Sequence, residues 1–82
     1  ETKKQDWTKA QHHFEKTLQF NQHHGAALNN LGALLAGSGR IEAGLAKLDL
    51  ALKYSGILDS QHNISAILAS GSSVEYDQLS FT

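Results

Sequence analysis

Residues 27–54 read Ala-Leu-Asn-Asn-Leu-Gly-Ala-Leu-Leu-Ala-Gly-Ser-Gly-Arg-Ile-Glu-Ala-Gly-Leu-Ala-Lys-Leu-Asp-Leu-Ala-Leu-Lys-Tyr, from Ala27 to Tyr54. In the first half, Leu28, Leu31 and Leu35 recur at spacings of three and four, flanked by Ala27 and Leu34. Such spacings put them on one side of a 3.6-residue helix. In the second half Ile41, Leu45, Leu48 and Leu52 do the same, with Ala51 beside them. Gly37, Ser38 and Gly39 separate the halves, because glycine accepts the left-handed backbone that closes a helix. A connection this short makes the two helices antiparallel neighbours. Gly32 and Gly44 lie inside the helices, each costing about 1 kcal/mol against alanine. That cost predicts a close approach of one helix backbone to the other.

Both flanks repeat parts of this unit. Shifting the N-terminal segment by 34 lays Trp7 on Ile41, Ala10 on Gly44, Phe14 on Leu48, Thr17 on Ala51, Leu18 on Leu52 and Phe20 on Tyr54. Residues 6–20, with Asp6 as N-cap, therefore read as the second helix of a preceding repeat. A shift of 33 lays Asn30 on Asn63, Leu31 on Ile64, Gly32 on Ser65, Leu34 on Ile67 and Leu35 on Leu68. Residues from 59 on thus open another first helix, capped by Asp59 or Ser60. Gly71 to Ser73 is its turn. Ser72 with Glu75 forms a capping box for a last short helix that places Val74 and Phe81 on Ile41 and Leu48. Asp77 occupies a small-residue place in that helix and weakens it.

These residues resemble the tetratricopeptide repeat family, whose unit is a helix pair of about 34 residues with Trp-x2-Leu-Gly-x2-Tyr early and Ala-x3-Phe later. Leu28 takes the Trp place, Leu31-Gly32 match the Leu-Gly, and Leu35 takes the Tyr place. Gly44 takes the Ala place, Leu48 the Phe place and Ala51 a second small-residue place. Gly56 falls where the family carries proline. The expected fold is all-α: a superhelix of antiparallel helical hairpins with about five helices, in one domain over residues 1–82. Residues 6–20 form the partial repeat, 25–58 the complete one, and 59–82 a degenerate repeat or capping helices.

In 82 residues a single core is marginal. The formal net charge of −1 lacks the basic footprint of a nucleic-acid binder. Lys3, Lys4 and Lys9 are the only basic grouping. With no cysteine, disulfides and thiolate metal sites are excluded. No apolar run approaches the roughly 18 residues of a membrane span. No signal-peptide pattern is present. A soluble, cytoplasmic chain is the default expectation, and the compartment stays open. The chain starts at Glu1 and lacks methionine, which suggests a piece of a longer protein.

Chemical sites are weakly encoded. His12 and His23, like His13 and His24, stand eleven apart. The helix should end near Phe20, and adjacent His-His pairs splay, so no metal set of converging ligands is expected. Ser38, His62 and Asp59 lack the strand-turn-helix context of a nucleophile elbow. Gly37-Ser38-Gly39 lacks the Lys-Ser/Thr end of a phosphate loop. Neither an enzyme activity nor a cofactor is expected.

The resemblance implies a concave groove lined by the first helix of each pair. On this chain Asn29, Asn30, Ala33 and Ala36 face it, with Asn63 and Ala66 from the next unit. An asparagine amide both donates and accepts, so it can hold a peptide backbone without demanding a side chain. Family members that bind acidic C-terminal peptides set lysine and arginine beside such an asparagine. Here those places lack a base, and Ala26 and Ser60 are small and neutral, so an apolar or helical guest fits the expectation better. The expected function is a protein-interaction scaffold that binds a peptide or helix. The alternative is a structural module that self-associates, because such repeats want about three units to bury a core. A homodimer would then cover the edge around Trp7 and Phe14 or that around Val74 and Phe81. Leu-Asn-Asn-Leu-Gly and His-Asn-Ile-Ser also resemble repeat units of bacterial pilus-assembly and secretion lipoproteins, which would place the chain within such a machinery.

Overall fold

A computed structural model describes residues 2–70 and 73–82. The chain is all-α, with no strand among the described residues. Its helices are α1 (Thr2–Phe20), α2 (Gly25–Gly37), α3 (Ile41–Ser55) and α4 (Leu58–Ser70), followed by a 3-10 turn, Tyr76–Gln78. α1 packs on α2, α2 on α3 and α3 on α4, and α2 also meets α4 and the 3-10 turn. No helix among the described residues is long and apolar enough to cross a membrane.

The central hairpin forms as its spacing predicts. α2 is buried at every residue from 27 to 36. α3 buries only Gly44, Leu48 and Ala51. Where the two helices meet, side chains are missing on both sides. A Cβ on Gly32 would lie 2.7 Å from Leu48 Cγ and 2.9 Å from the Gly44 carbonyl oxygen. One on Gly44 would lie 2.7 Å from the Gly32 carbonyl oxygen. The two glycines are a mutual backbone contact, which accounts for their helix-propensity cost. Gly56 closes α3 at φ 61°, its N–H donating to Leu52 O at 2.9 Å. Proline cannot reach that φ.

Helix starts differ from expectation in two places. α1 begins at Thr2, which puts Asp6 inside the helix rather than at its N-cap. α4 begins at Leu58, so Asp59 and Ser60 lie in its first turn. Their side chains are drawn elsewhere: Asp59 accepts from Ser80 and Thr82, and Ser60 Oγ donates to Asn29 Oδ1. His24 is the N-cap of α2, and its Nδ1 accepts from the Ala27 N–H at 3.1 Å.

The expected fifth helix is absent among the described residues. Gly71 and Ser72, given a turn and half of a capping box, lie outside the described residues. After Val74 the chain makes one 3-10 turn, in which the Glu75 N–H donates to Gln78 Oε1 at 2.9 Å, and continues extended. Asp77, exposed on that turn, occupies the place where a packed helix would need a small residue. The extended route still buries Val74 and Leu79, which join Ala33, Ala36, Leu48 and Ile67 in the core, with Ile64 and Ala66 packed against it.

Candidate functional site

The C-terminal segment lies across α2 and α4, on the residues expected to line a groove. Asn63 is fully buried. Its Oδ1 accepts from the Ser80 N–H at 2.6 Å, and its Nδ2 donates to the Ser80 carbonyl at 2.8 Å. Two residues on, Asn30 repeats the arrangement with Thr82. The Thr82 N–H donates to Asn30 Oδ1 at 2.7 Å, and Asn30 Nδ2 donates to the Thr82 carbonyl at 3.2 Å. In an extended chain the N–H and C=O of alternate residues point to the same side, as in an antiparallel sheet pair that exchanges both bonds. Each asparagine amide therefore does for the tail what a neighbouring strand residue would do.

Asn29 ties the two brackets together. Its Oδ1 accepts from Asn63 Nδ2 at 3.0 Å and from Ser60 Oγ at 2.9 Å. Its Nδ2 faces the Ser80 carbonyl at 3.0 Å and Thr82 Oγ1 at 2.9 Å. Asn29, Ser60 and Asn63 are buried completely, a placement that is costly unless every polar atom is paired. Among the described residues no buried side-chain nitrogen or oxygen lacks a partner. The hydroxyls of the tail are held as well. Ser80 Oγ donates to Asp59 Oδ1 at 2.8 Å and Thr82 Oγ1 to Asp59 Oδ2 at 3.3 Å. His62 Nε2 lies 3.0 Å from the Gln78 carbonyl and donates to it as the Nε2–H tautomer.

The alanines have a simpler role. Ala33 and Ala36 are buried in the same cluster as Val74 and Leu79, and half-buried Ala66 packs against it. Their small side chains leave room for the tail. The contacted segment is extended, not helical, because the asparagines engage every second residue.

The residues assigned to an exposed edge are placed differently from one another. Trp7 is half-buried and lies against Tyr76, with ring centroids 3.6 Å apart and the planes tilted by 33°. Tyr76 also lies over Gly37, where an added Cβ would meet its ring at 2.6 Å. Burial raises the pKa of the Tyr76 hydroxyl, partly opposed by its hydrogen bond with Ser38. Phe14 is half-buried, and Phe81 is exposed. Val74 is turned into the chain's own core.

Among the described residues no three metal-ligating side chains converge. His23 stacks on Tyr54 at 3.9 Å.

Sequence reasoning singled out Asn29, Asn30 and Asn63 but gave no such part to Asp59, Ser60 and His62 and did not foresee the tail that lies on them. One signal was present. Leu79, Ser80, Phe81 and Thr82 alternate apolar and hydroxyl side chains, the period of an extended segment. No family model, curated protein or solved structure matched the chain.

Proposed function

We propose that this chain is a protein-interaction module, a tetratricopeptide-like stack of helical hairpins whose asparagine-lined face holds an extended peptide. The carrying observation is the pair of amide brackets: Asn63 on Ser80 and Asn30 on Thr82, two residues apart. Backbone bonds give such a site affinity for any extended segment, and the side chains between them add selectivity. Residues 80 and 82 are then a resident ligand that a partner displaces. A tethered tail competes at millimolar effective concentration, so the partner must bring more contacts than the tail does.

Replacing Ser80 with proline tests this reading. Proline removes the N–H that Asn63 accepts and frees the face. An amidated peptide with the sequence of residues 77–82 is then titrated against the Ser80→Pro chain, with amide shifts of α2 and α4 as the readout. Saturable shifts, weakened by Asn30→Ala at unchanged thermal stability, support the groove. Absence of any shift in a chain with native helicity removes it.

A second reading, a self-associating structural module, is favoured by another observation. Leu45, Ala46, Ile64 and Leu68 line an open hollow of about 490 Å³ between α3 and α4, bordered by Glu42 and Asp49. Leu68 is 70% exposed there. Sedimentation decides the matter: a dimer abolished by Leu68→Lys supports this reading, and a monomer at all concentrations ends it.

A further inference from the structure

We infer that Asp59 sets the side-chain specificity of the asparagine face, which selects an extended segment of a partner protein with Ser or Thr at two positions separated by one residue. This rests on the groove reading above and goes beyond it, because the amide brackets engage only backbone. Asp59 stands at the start of α4 and divides its two carboxylate oxygens between two hydroxyls, Oδ1 to Ser80 and Oδ2 to Thr82. A carboxylate only accepts, so the guest must bring donors. The brackets hold the backbones of residues 80 and 82 close to the helices, so a short hydroxyl reaches the carboxylate directly. A guest Asp or Glu at either place would set a second anion against Asp59.

Thr82 Oγ1 completes the pattern. It donates to Asp59 and accepts from Asn29 Nδ2 at 2.9 Å, both capacities of one hydroxyl. An alanine guest loses both bonds and leaves the partly buried carboxylate one donor short. Phe81, between the two hydroxyl positions, is 42% exposed, so the intervening residue is weakly constrained.

The Ser80→Pro chain provides the test, with two amidated hexapeptides as probes. One carries the sequence of residues 77–82. The other has Ala and Val in place of its Ser and Thr. A hydroxyl bonded to a charged acceptor is worth about tenfold in affinity or more, so the second peptide should bind at least about tenfold more weakly. Adding Asp59→Ala should narrow the gap between the two peptides to what the Asn29 bond to the Thr hydroxyl contributes. Equal binding of both peptides to the chain with Asp59 intact would overturn the specificity assignment while leaving the groove standing. Failure of both peptides to bind would overturn both.

A second measurement avoids proline altogether. In the otherwise unaltered chain, Asp59→Ala and Ser80→Ala should each speed exchange of the Thr82 amide by about tenfold. The double variant should be no faster than Asp59→Ala alone, the signature of a shared bond. Additive effects would contradict the assignment.

Discussion

α2 and α4 are the same length, 13 residues, and α4 starts 33 positions after α2. By periodicity they are the same helix twice. α2 is buried at every residue from 27 to 36, whereas α4 buries only Ser60, Asn63 and Ile67. Leu35 is 6% exposed and its counterpart Leu68 is 70% exposed. Neighbours account for the contrast. α2 is covered by α1, α3, α4 and the tail, while α4 has α3, a narrower contact with α2, and the tail. The shared face of the two helices, where the asparagines stand, is the one that the tail covers in both. A side chain's spacing therefore assigns it to a face, and the elements stacked on that face decide whether it is buried.

Four experiments bear on this contrast, in decreasing order of expected effect. Leu35→Ala should cost about 2–4 kcal/mol in urea unfolding, the usual cost of a large-to-small change in a core. Leu68→Ala should change stability by less than about 0.5 kcal/mol, as an exposed substitution. Equal losses would show that α4 is covered in solution. Gly32→Ala should destabilise by about 1–3 kcal/mol, since its Cβ would drive into Leu48 and the Gly44 carbonyl. At the matching place on α4, Ser65→Ala should be neutral or slightly stabilising, because alanine is the better helix former and Ser65 is exposed. A neutral Gly32→Ala in thermal melts would refute the glycine contact.

Asn63→Ala should cost about 1–3 kcal/mol, because it strands buried partners on Asn29 and Ser80. Asn30→Ala, at the matching and less enclosed place, should cost less. The reverse order in calorimetry would mean that Thr82 rather than Ser80 anchors the tail. The smallest effect belongs to Tyr76, which ties the tail to the end of α2. Its folded-state pKa is raised, mainly by burial, so the protonated phenol contributes stability that is complete below the unfolded value of about 10. That contribution is lost as pH climbs through the higher folded value. Tyr76→Phe should flatten the alkaline fall in melting temperature without changing the profile near neutral pH.

Legibility followed locality. Leu28, Leu31, Leu45 and Leu48 identify their helices through neighbours three and four residues away, and the structure places them as that spacing demands. Asn29, Asn30 and Asn63 were singled out because the resemblance puts their positions on one face of the first helices. The tail was not found, because the bonds that hold it span from 16 to 53 positions. A last helix was expected over residues that instead run extended. Val74 fits a helical register and an extended one equally well, and its burial beside Ala33 and Ala36 is reached by the extended route. Asp59 and Ser60 were read as caps because capping is the commonest local use of such side chains. A buried Asn29 and two tail hydroxyls outbid that use here.

The amino-acid order by itself determined the four helices, the turn between α2 and α3 and the antiparallel hairpin those two make. Each of these depends on residues within a few turns of one another. Tertiary structure alone decided what lies on the face of Asn29, Asn30 and Asn63, which helix is fully enclosed and which carboxylate meets the tail's hydroxyls. An amide that donates and accepts equally suits water, a partner or its own chain, and only the packed arrangement of distant segments selects among them.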